Sequence, residues 1–177
     1  FVDPSSGRAI TKGEIGCAIS HYLLWEKALN EINDSQNILI LEDDIIFHSN
    51  FYQECINLEN SLKNQDWDMC YISRKRVSTQ QEEKVGANLV RALYNYWTSG
   101  ILYNKRGLEK LVSSNYLKNL VPADEFVAAV IGQGLPQIQR SIPQSILLKG
   151  FSVIDNLAWQ DPDSFKQSDT EISPPYS

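Results

Sequence analysis

The sequence predicts one α/β domain built on a largely parallel sheet, and three observations carry that prediction. Short apolar segments of strand composition alternate with segments of helical periodicity. The sharpest strand candidate, Asn37 to Leu41, is apolar without alternation, as in a strand covered on both faces. Finally, 177 residues at 42% hydrophobic suffice for one real core and not for two. The domain is expected over residues 1–154. Residues 155–177 are acidic, contain Pro and Ser and lack periodicity, so they read as a tail or lid rather than a core element.

Taken in order, residues 1–10 are loop-like, with Asp3-Pro4 and Ser5-Ser6-Gly7 as turn signals. Thr11-Lys12-Gly13-Glu14 has the form of a capping box, with a Thr cap and a Glu three residues on. Ile15, Ile19, Tyr22, Leu23, Leu29 and Ile32 follow at helical spacing, predicting a helix over about 12–32 that ends at Asn33-Asp34-Ser35. A strand over 37–41 then stops at Glu42-Asp43-Asp44. A helix over 50–63 turns Phe51, Cys55, Leu58 and Leu62 inward, and Met69 to Ile72 is a second strand. The basic run Arg74-Lys75-Arg76 reads as a solvated face, followed by a polar stretch to Asn88. Tyr96 to Tyr103 is a third strand, and Asn104 caps a helix over 105–112. Pro122 is expected at the first helical position, with Asp124 and Glu125 behind it and a helix to Ile131. Gly150 to Ile154 is a last short strand.

Composition removes several classes. Sixteen Lys+Arg against 22 Asp+Glu leave a net charge of −6, the wrong sign for a protein that tracks phosphates along a nucleic acid. No apolar run approaches the ~20 residues of a membrane-spanning helix. Three cysteines, Cys17, Cys55 and Cys70, are too few for a disulfide-built miniprotein, and their spacings suit no structural zinc motif. The chain opens on Phe1 and its one methionine is Met69, so it reads as starting mid-protein. The sequon Asn33-Asp34-Ser35 would carry a glycan only in a secretory lumen.

The most informative feature is the acidic triplet at a strand end. Ligands of open α/β sheets bind beyond the carboxyl ends of strands. Glu42, Asp43 and Asp44 placed there repel one another unless a cation compensates, and carboxylates with diphosphate oxygens suit Mg²⁺ or Mn²⁺. Continued strand geometry would put Glu42 and Asp44 on one face and Asp43 on the other. The competing role is a solvated acidic turn that caps the next helix. For Asp124 and Glu125, spacing alone favours interaction with the helix dipole over a general base. By default His21 is a satisfied, half-buried histidine, and Trp97 and Trp159 are core or interface residues, with stacking on a sugar or base as the alternative.

Thr11-Lys12-Gly13-Glu14-Ile15-Gly16-Cys17-Ala18-Ile19-Ser20-His21-Tyr22, then Trp25, then Leu41-Glu42-Asp43-Asp44, closely resemble glycosyltransferase family 25. That family includes bacterial lipooligosaccharide transferases and animal procollagen galactosyltransferases. Asp3-Pro4, Ser6-Gly7-Arg8, Trp67-Asp68, Arg74-Lys75-Arg76, Tyr96-Trp97-Thr98, Val121 to Phe126, Phe151-Ser152-Val153 and Ser168-Asp169-Thr170-Glu171 resemble the animal collagen branch.

The resemblance implies a GT-A-type nucleotide-diphospho-sugar transferase fold whose N-terminal strand and basic segment lie before Phe1. It implies Mn²⁺ or another divalent cation, UDP-galactose as donor, hydroxylysine of collagen as acceptor, inversion at the anomeric carbon, and the endoplasmic reticulum lumen. On that basis Glu42, Asp43 and Asp44 are the metal residues, with Asp44 first as direct ligand. Asp124 becomes the catalytic base, with Glu125 behind it. Thr11, Lys12, Glu14 and His21 lie near the nucleotide, at a helix N-terminus that favours anions. The collagen-branch enzymes carry a histidine after Phe-Ser-Val; here the run is Leu157 to Asp163, where Asp161 or Asp163 would stand in. Two alternatives keep the family: a different acceptor such as a lipooligosaccharide sugar, or a non-catalytic adhesion or binding relative.

Overall fold

A computed structural model of the chain describes residue 2 and residues 7–163. The turn signals at Asp3-Pro4 and Ser5-Ser6 and the segment from Ser164 onward lie outside the described residues. The elements run α1 (Lys12–Glu31), β1 (Asn37–Leu41), β2 (Ile45–Phe47), α2 (Phe51–Leu62), β3 (Met69–Arg76), β4 (Lys84–Gly86), β5 (Leu89–Arg91), β6 (Asn95–Asn104), α3 (Lys105–Ser113), α4 (Ala123–Val130), α5 (Pro136–Gln139), β7 (Gly150–Val153) and β8 (Ala158–Gln160). Short 3-10 turns occupy Tyr116–Lys118 and Gln144–Ile146.

The mixed α/β class holds, but the sheet is not largely parallel. Its six strands run β1-β6-β3-β7-β5-β4, and a separate two-stranded ribbon pairs β2 with β8. β6 is antiparallel to both β1 and β3, so β1 and β3 point the same way without touching. Among the described residues only β3 and β7 are a parallel neighbouring pair. An apolar strand without alternation reports cover on two faces, not direction, and β6 inserts between strands that a simple crossover would have paired.

Alternation along the strands separates two cores. Ile38 and Ile40 of β1, Met69 and Tyr71 of β3, and Ile101 and Tyr103 of β6 face α1, α3 and α4. Leu39, Leu41, Cys70, Ile72 and Leu102 face α2 and the β8 segment. Trp25 of α1, fully buried, sits 5.8 Å from the Tyr116 ring and 5.9 Å from the Phe126 ring, fixing α1 against α4.

The predicted helices form close to their expected limits, and the capping box is present in both directions: Glu14 N donates to Thr11 Oγ1, and Thr11 N donates to the Glu14 carboxylate. Asn104 caps α3 by accepting from Gly107 N at 2.9 Å. Pro122 stands one place earlier than expected, at the cap rather than inside the helix. Two further expectations are corrected. Leu157 and Ala158 are buried, and β8 is a strand, so the folded body continues past residue 154. Arg74 is a buried cation rather than part of a solvated face; it pairs with Glu82, from the polar stretch, and with Asn95 Oδ1. Among the described residues no helix is long and apolar enough to cross a membrane.

Candidate functional site

The carboxyl end of β1 pairs with the middle of β6, Leu41 opposite Gly100, beside α1. Glu42 leaves the strand with its N–H on Ser99 O at 3.0 Å. Its carboxylate turns toward α1 and β6. Thr98 Oγ1 donates to Glu42 Oε1 at 2.9 Å, and His21 Nε2 lies 3.4 Å from the same oxygen. Cys17, one helical turn before His21, completes a group whose ligand atoms all lie within 4.8 Å of one another.

The chain turns at Asp43 and Asp44 instead of continuing as a strand, so the triplet does not share faces by simple alternation. Asp43 is exposed. Asp44 faces the other way from Glu42, into the β2–β8 ribbon: Gln160 Nε2 donates to Asp44 Oδ2 at 2.7 Å, and Asp161 N donates to Asp44 O at 2.8 Å. Asp161, one of the two candidate late acids, is thereby set beside Asp44, and Asp163 N donates to Asp161 Oδ1 at 2.9 Å. Asp44 and Asp161 carry oxygen donors of the kind a hard cation sharing diphosphate oxygens takes, but among the described residues the group of three donors within reach of one ion is Cys17, His21 and Glu42, not the acidic triplet.

Asp124 and Glu125 open α4 at the same end of the sheet. Burial, with the charge of Glu125 next and that of Glu42 further off, pushes the Asp124 carboxyl up to about 6. The Glu125 N–H donates to Asp124 Oδ1 at 2.9 Å. Glu125 is buried, and its Oε1 accepts from Tyr94 at 2.8 Å and Tyr96 at 3.2 Å. Between Tyr96 and Thr98, Trp97 has φ of 73°, a left-handed conformation rare for a bulky residue inside a strand. The β3–β6 register shifts there, and Lys75 Nζ stands 5.9 Å from the indole centroid.

The remaining candidates are more peripheral. Glu14 is held by Arg8 at 2.6 and 2.8 Å as well as by the cap, and Arg8 first among these keeps its carboxyl below the usual range. Thr11 is occupied in the cap and Lys12 is exposed. Trp159 lies on β8 with its ring 6.3 Å from His48. Sequence reasoning gave no role to Cys17, Thr98, Tyr94, Tyr96 or Gln160. Spacing alone could have flagged two of these groupings: Cys17 four residues before His21, and Tyr94 and Tyr96 on one face of an extended segment.

Residues 2–127 match the model of glycosyltransferase family 25 (LPS biosynthesis protein). The chain is 35% identical over 157 residues to human procollagen galactosyltransferase 2, covering 86% of this chain and 25% of that protein. It is 42% identical over 134 residues to zebrafish procollagen galactosyltransferase 1, covering 72% of this chain and 22% of the relative. It is also 36% identical over 137 residues to human inactive glycosyltransferase 25 family member 3, covering 75% and 23%. The chain thus spans about a quarter of the length of these relatives. With the family model matched over most of its length, and the acidic turn and α4 carboxylates at one end of the sheet, the chain belongs to glycosyltransferase family 25.

Proposed function

We propose that this chain is the donor-binding and catalytic domain of a metal-dependent, inverting galactosyltransferase. It moves galactose from UDP-galactose to hydroxylysine of collagen or a collagen-like acceptor, in the endoplasmic reticulum lumen. The observation that carries this reading is the meeting of the 42–44 turn with a buried, proton-avid carboxyl, Asp124, at the same end of the sheet.

Asp44 would hold the cation, with Asp161 next to it in the β2–β8 ribbon and Gln160 fixing the Asp44 carboxylate. A bound divalent cation would supply charge neutralisation for the departing diphosphate. Glu42, tied to Thr98 and His21, anchors the start of the turn and keeps negative charge toward the site. Asp124, ionised at neutral pH yet more basic than an ordinary aspartate, takes the proton of the acceptor hydroxyl as that oxygen attacks the anomeric carbon. Glu125, clamped by two tyrosine hydroxyls, supplies the neighbouring charge that raises the proton affinity of Asp124. Thr11 and Lys12 lie at the N-terminus of α1, whose dipole favours an anionic nucleotide.

The test is transfer from UDP-galactose to a hydroxylysine-containing collagen peptide. Asp124→Asn should lower kcat by about 10²–10⁴-fold with UDP affinity unchanged. A loss of UDP affinity instead would move Asp124 to the donor site and remove it as base. A second reading, a non-catalytic binding domain, is favoured by the inactive relatives at 34% and 36% identity. It predicts no Mn²⁺-dependent binding of UDP.

A further inference from the structure

We propose that Cys17, His21 and Glu42 form a second cation site, selective for a soft, thiophilic divalent metal of the zinc class and separate from the hard-cation site at Asp44. The three donors come from two elements that the core holds rigid against each other. Cys17 and His21 are one turn apart on α1, and Glu42 is fixed at the end of β1 by its backbone bond to Ser99. Sulfur, imidazole nitrogen and carboxylate oxygen form the mixed set that zinc and cobalt accept and that manganese and magnesium do not favour.

Several independent features point to a ligand there. His21 is only 4% exposed, and its Nδ1 is buried without a hydrogen-bond partner among the described residues. Its other nitrogen makes only the long 3.4 Å contact to Glu42. The Glu42 carboxylate is oriented by Thr98 at 2.9 Å, as outer-sphere hydrogen bonds orient metal-bound carboxylates. The charges of Glu42, Asp124 and Glu14 all reach the Cys17 sulfur, so the field at that atom favours a cation. Donors of a tetrahedral zinc lie about 2.0–2.3 Å from the metal and so within about 4 Å of each other. Closing the present 4.8 Å group therefore takes side-chain adjustment on the order of 1 Å. Three protein donors leave the fourth position to water.

Burial and the surrounding carboxylates hold the Cys17 thiol neutral, pushed up to about 12. Binding breaks the S–H bond, forms the sulfur–metal bond and releases that proton to solvent. The thiol thus contributes one proton per cation bound.

Cobalt(II) is the probe, titrated into the full 177-residue chain under a non-chelating reductant. The proposal predicts a thiolate-to-cobalt charge-transfer band in the near ultraviolet, saturating at one equivalent and displaced by zinc. It also predicts that the calorimetric heat depends on the buffer, corresponding to one proton released. Cys17→Ser should abolish the band, while Cys55→Ser should keep it. If Cys17→Ser does not fold, Glu42→Gln serves, with at least a tenfold loss of cobalt affinity expected and the band retained. Cobalt binding without a thiolate band would place the ion on carboxylates alone and overturn the proposal. A band that survives Cys17→Ser, or an affinity that Glu42→Gln leaves unchanged, would overturn it equally. Manganese should produce neither the band nor the proton release, which keeps this result separable from any failure of the galactosyltransferase reading.

Discussion

At the scale of single residues, the chain spends stability where the chemistry is assigned. Asp124 is buried beside Glu125, and its carboxyl rises from 3.8 to about 6 on folding. Between those values the folded state binds more protons than the unfolded one, so stability falls as pH rises through that window and the penalty persists above it. At neutral pH the ionised group costs up to about 3 kcal/mol. Asp124→Asn keeps an oxygen to accept from the Glu125 N–H and removes the charge. It should therefore raise the thermal midpoint at pH 7, by an amount that shrinks below pH 4, while lowering turnover. A lower midpoint at pH 7 would contradict the burial argument. If Asp124 is the base, kcat/KM should climb as pH rises through about 6, and a flat profile there would remove it from that role. The acidic triplet stood out because consecutive acids at a strand end repel one another, whereas Asp124 and Glu125 read as ordinary helix-dipole partners until the family resemblance singled them out. Thr98, Tyr94 and Tyr96 were not legible. Thr98 meets Glu42 across 56 positions of chain, and the tyrosines meet Glu125 across 31 and 29, distances over which no local pattern operates.

At the scale of elements, Asp68 is the buried joint between the start of β3, α3 and the approach to β7. It has no exposure, and it accepts from Arg106, from Lys110 Nζ at 2.8 Å and from Lys149 N at 2.8 Å. Burial alone would raise its carboxyl, but these donors together hold it below the ordinary range. Its contribution is thus fully present above pH 3.8 and is lost as pH falls through the lower folded value. Asp68→Ala leaves buried donors without their acceptor and should cost about 3–5 kcal/mol in chemical unfolding at pH 7. A change under about 1 kcal/mol would show that solvent replaces it. Gly107 is bound to the same joint, since a Cβ there would run into the Asp68 carbonyl oxygen. At α1, Thr11→Ala should cost about 1 kcal/mol, because it deletes one arm of the capping box. Four of the helices were legible from caps or 3.6-residue spacing, whereas the four-residue α5 was not. β2, β4, β5 and β8 were not, because three residues are too few to show a period, and tertiary pairing rather than propensity makes them strands.

At the scale of the molecule, the two cores explain why the site sits where it does. Trp25, Tyr116 and Phe126 lock α1 to α4, so His21 and Asp124 approach the end of β1 from elements packed on one face of the sheet. Leu157 and Ala158 lie in the core on the other face and carry β8 to Asp44. The acidic turn is therefore shared between both layers: Glu42 belongs to the α1 side and Asp44 to the β8 side. The sequence pattern could place the triplet at a strand end, but the division needs the turn at Asp43 and the β2–β8 pairing, which only the folded chain supplies.

Mn²⁺-dependent donor binding at this turn is the central expectation of the proposed function. Thermal unfolding of the chain with UDP, with Mn²⁺ or with EDTA, tests it. A hundredfold excess of UDP over its Kd should add about 2.7 kcal/mol in Mn²⁺ and nothing in EDTA, and Asp44→Ala should erase the difference between the two. A UDP shift that is equal in Mn²⁺ and EDTA, or one that survives Asp44→Ala, would contradict the assignment.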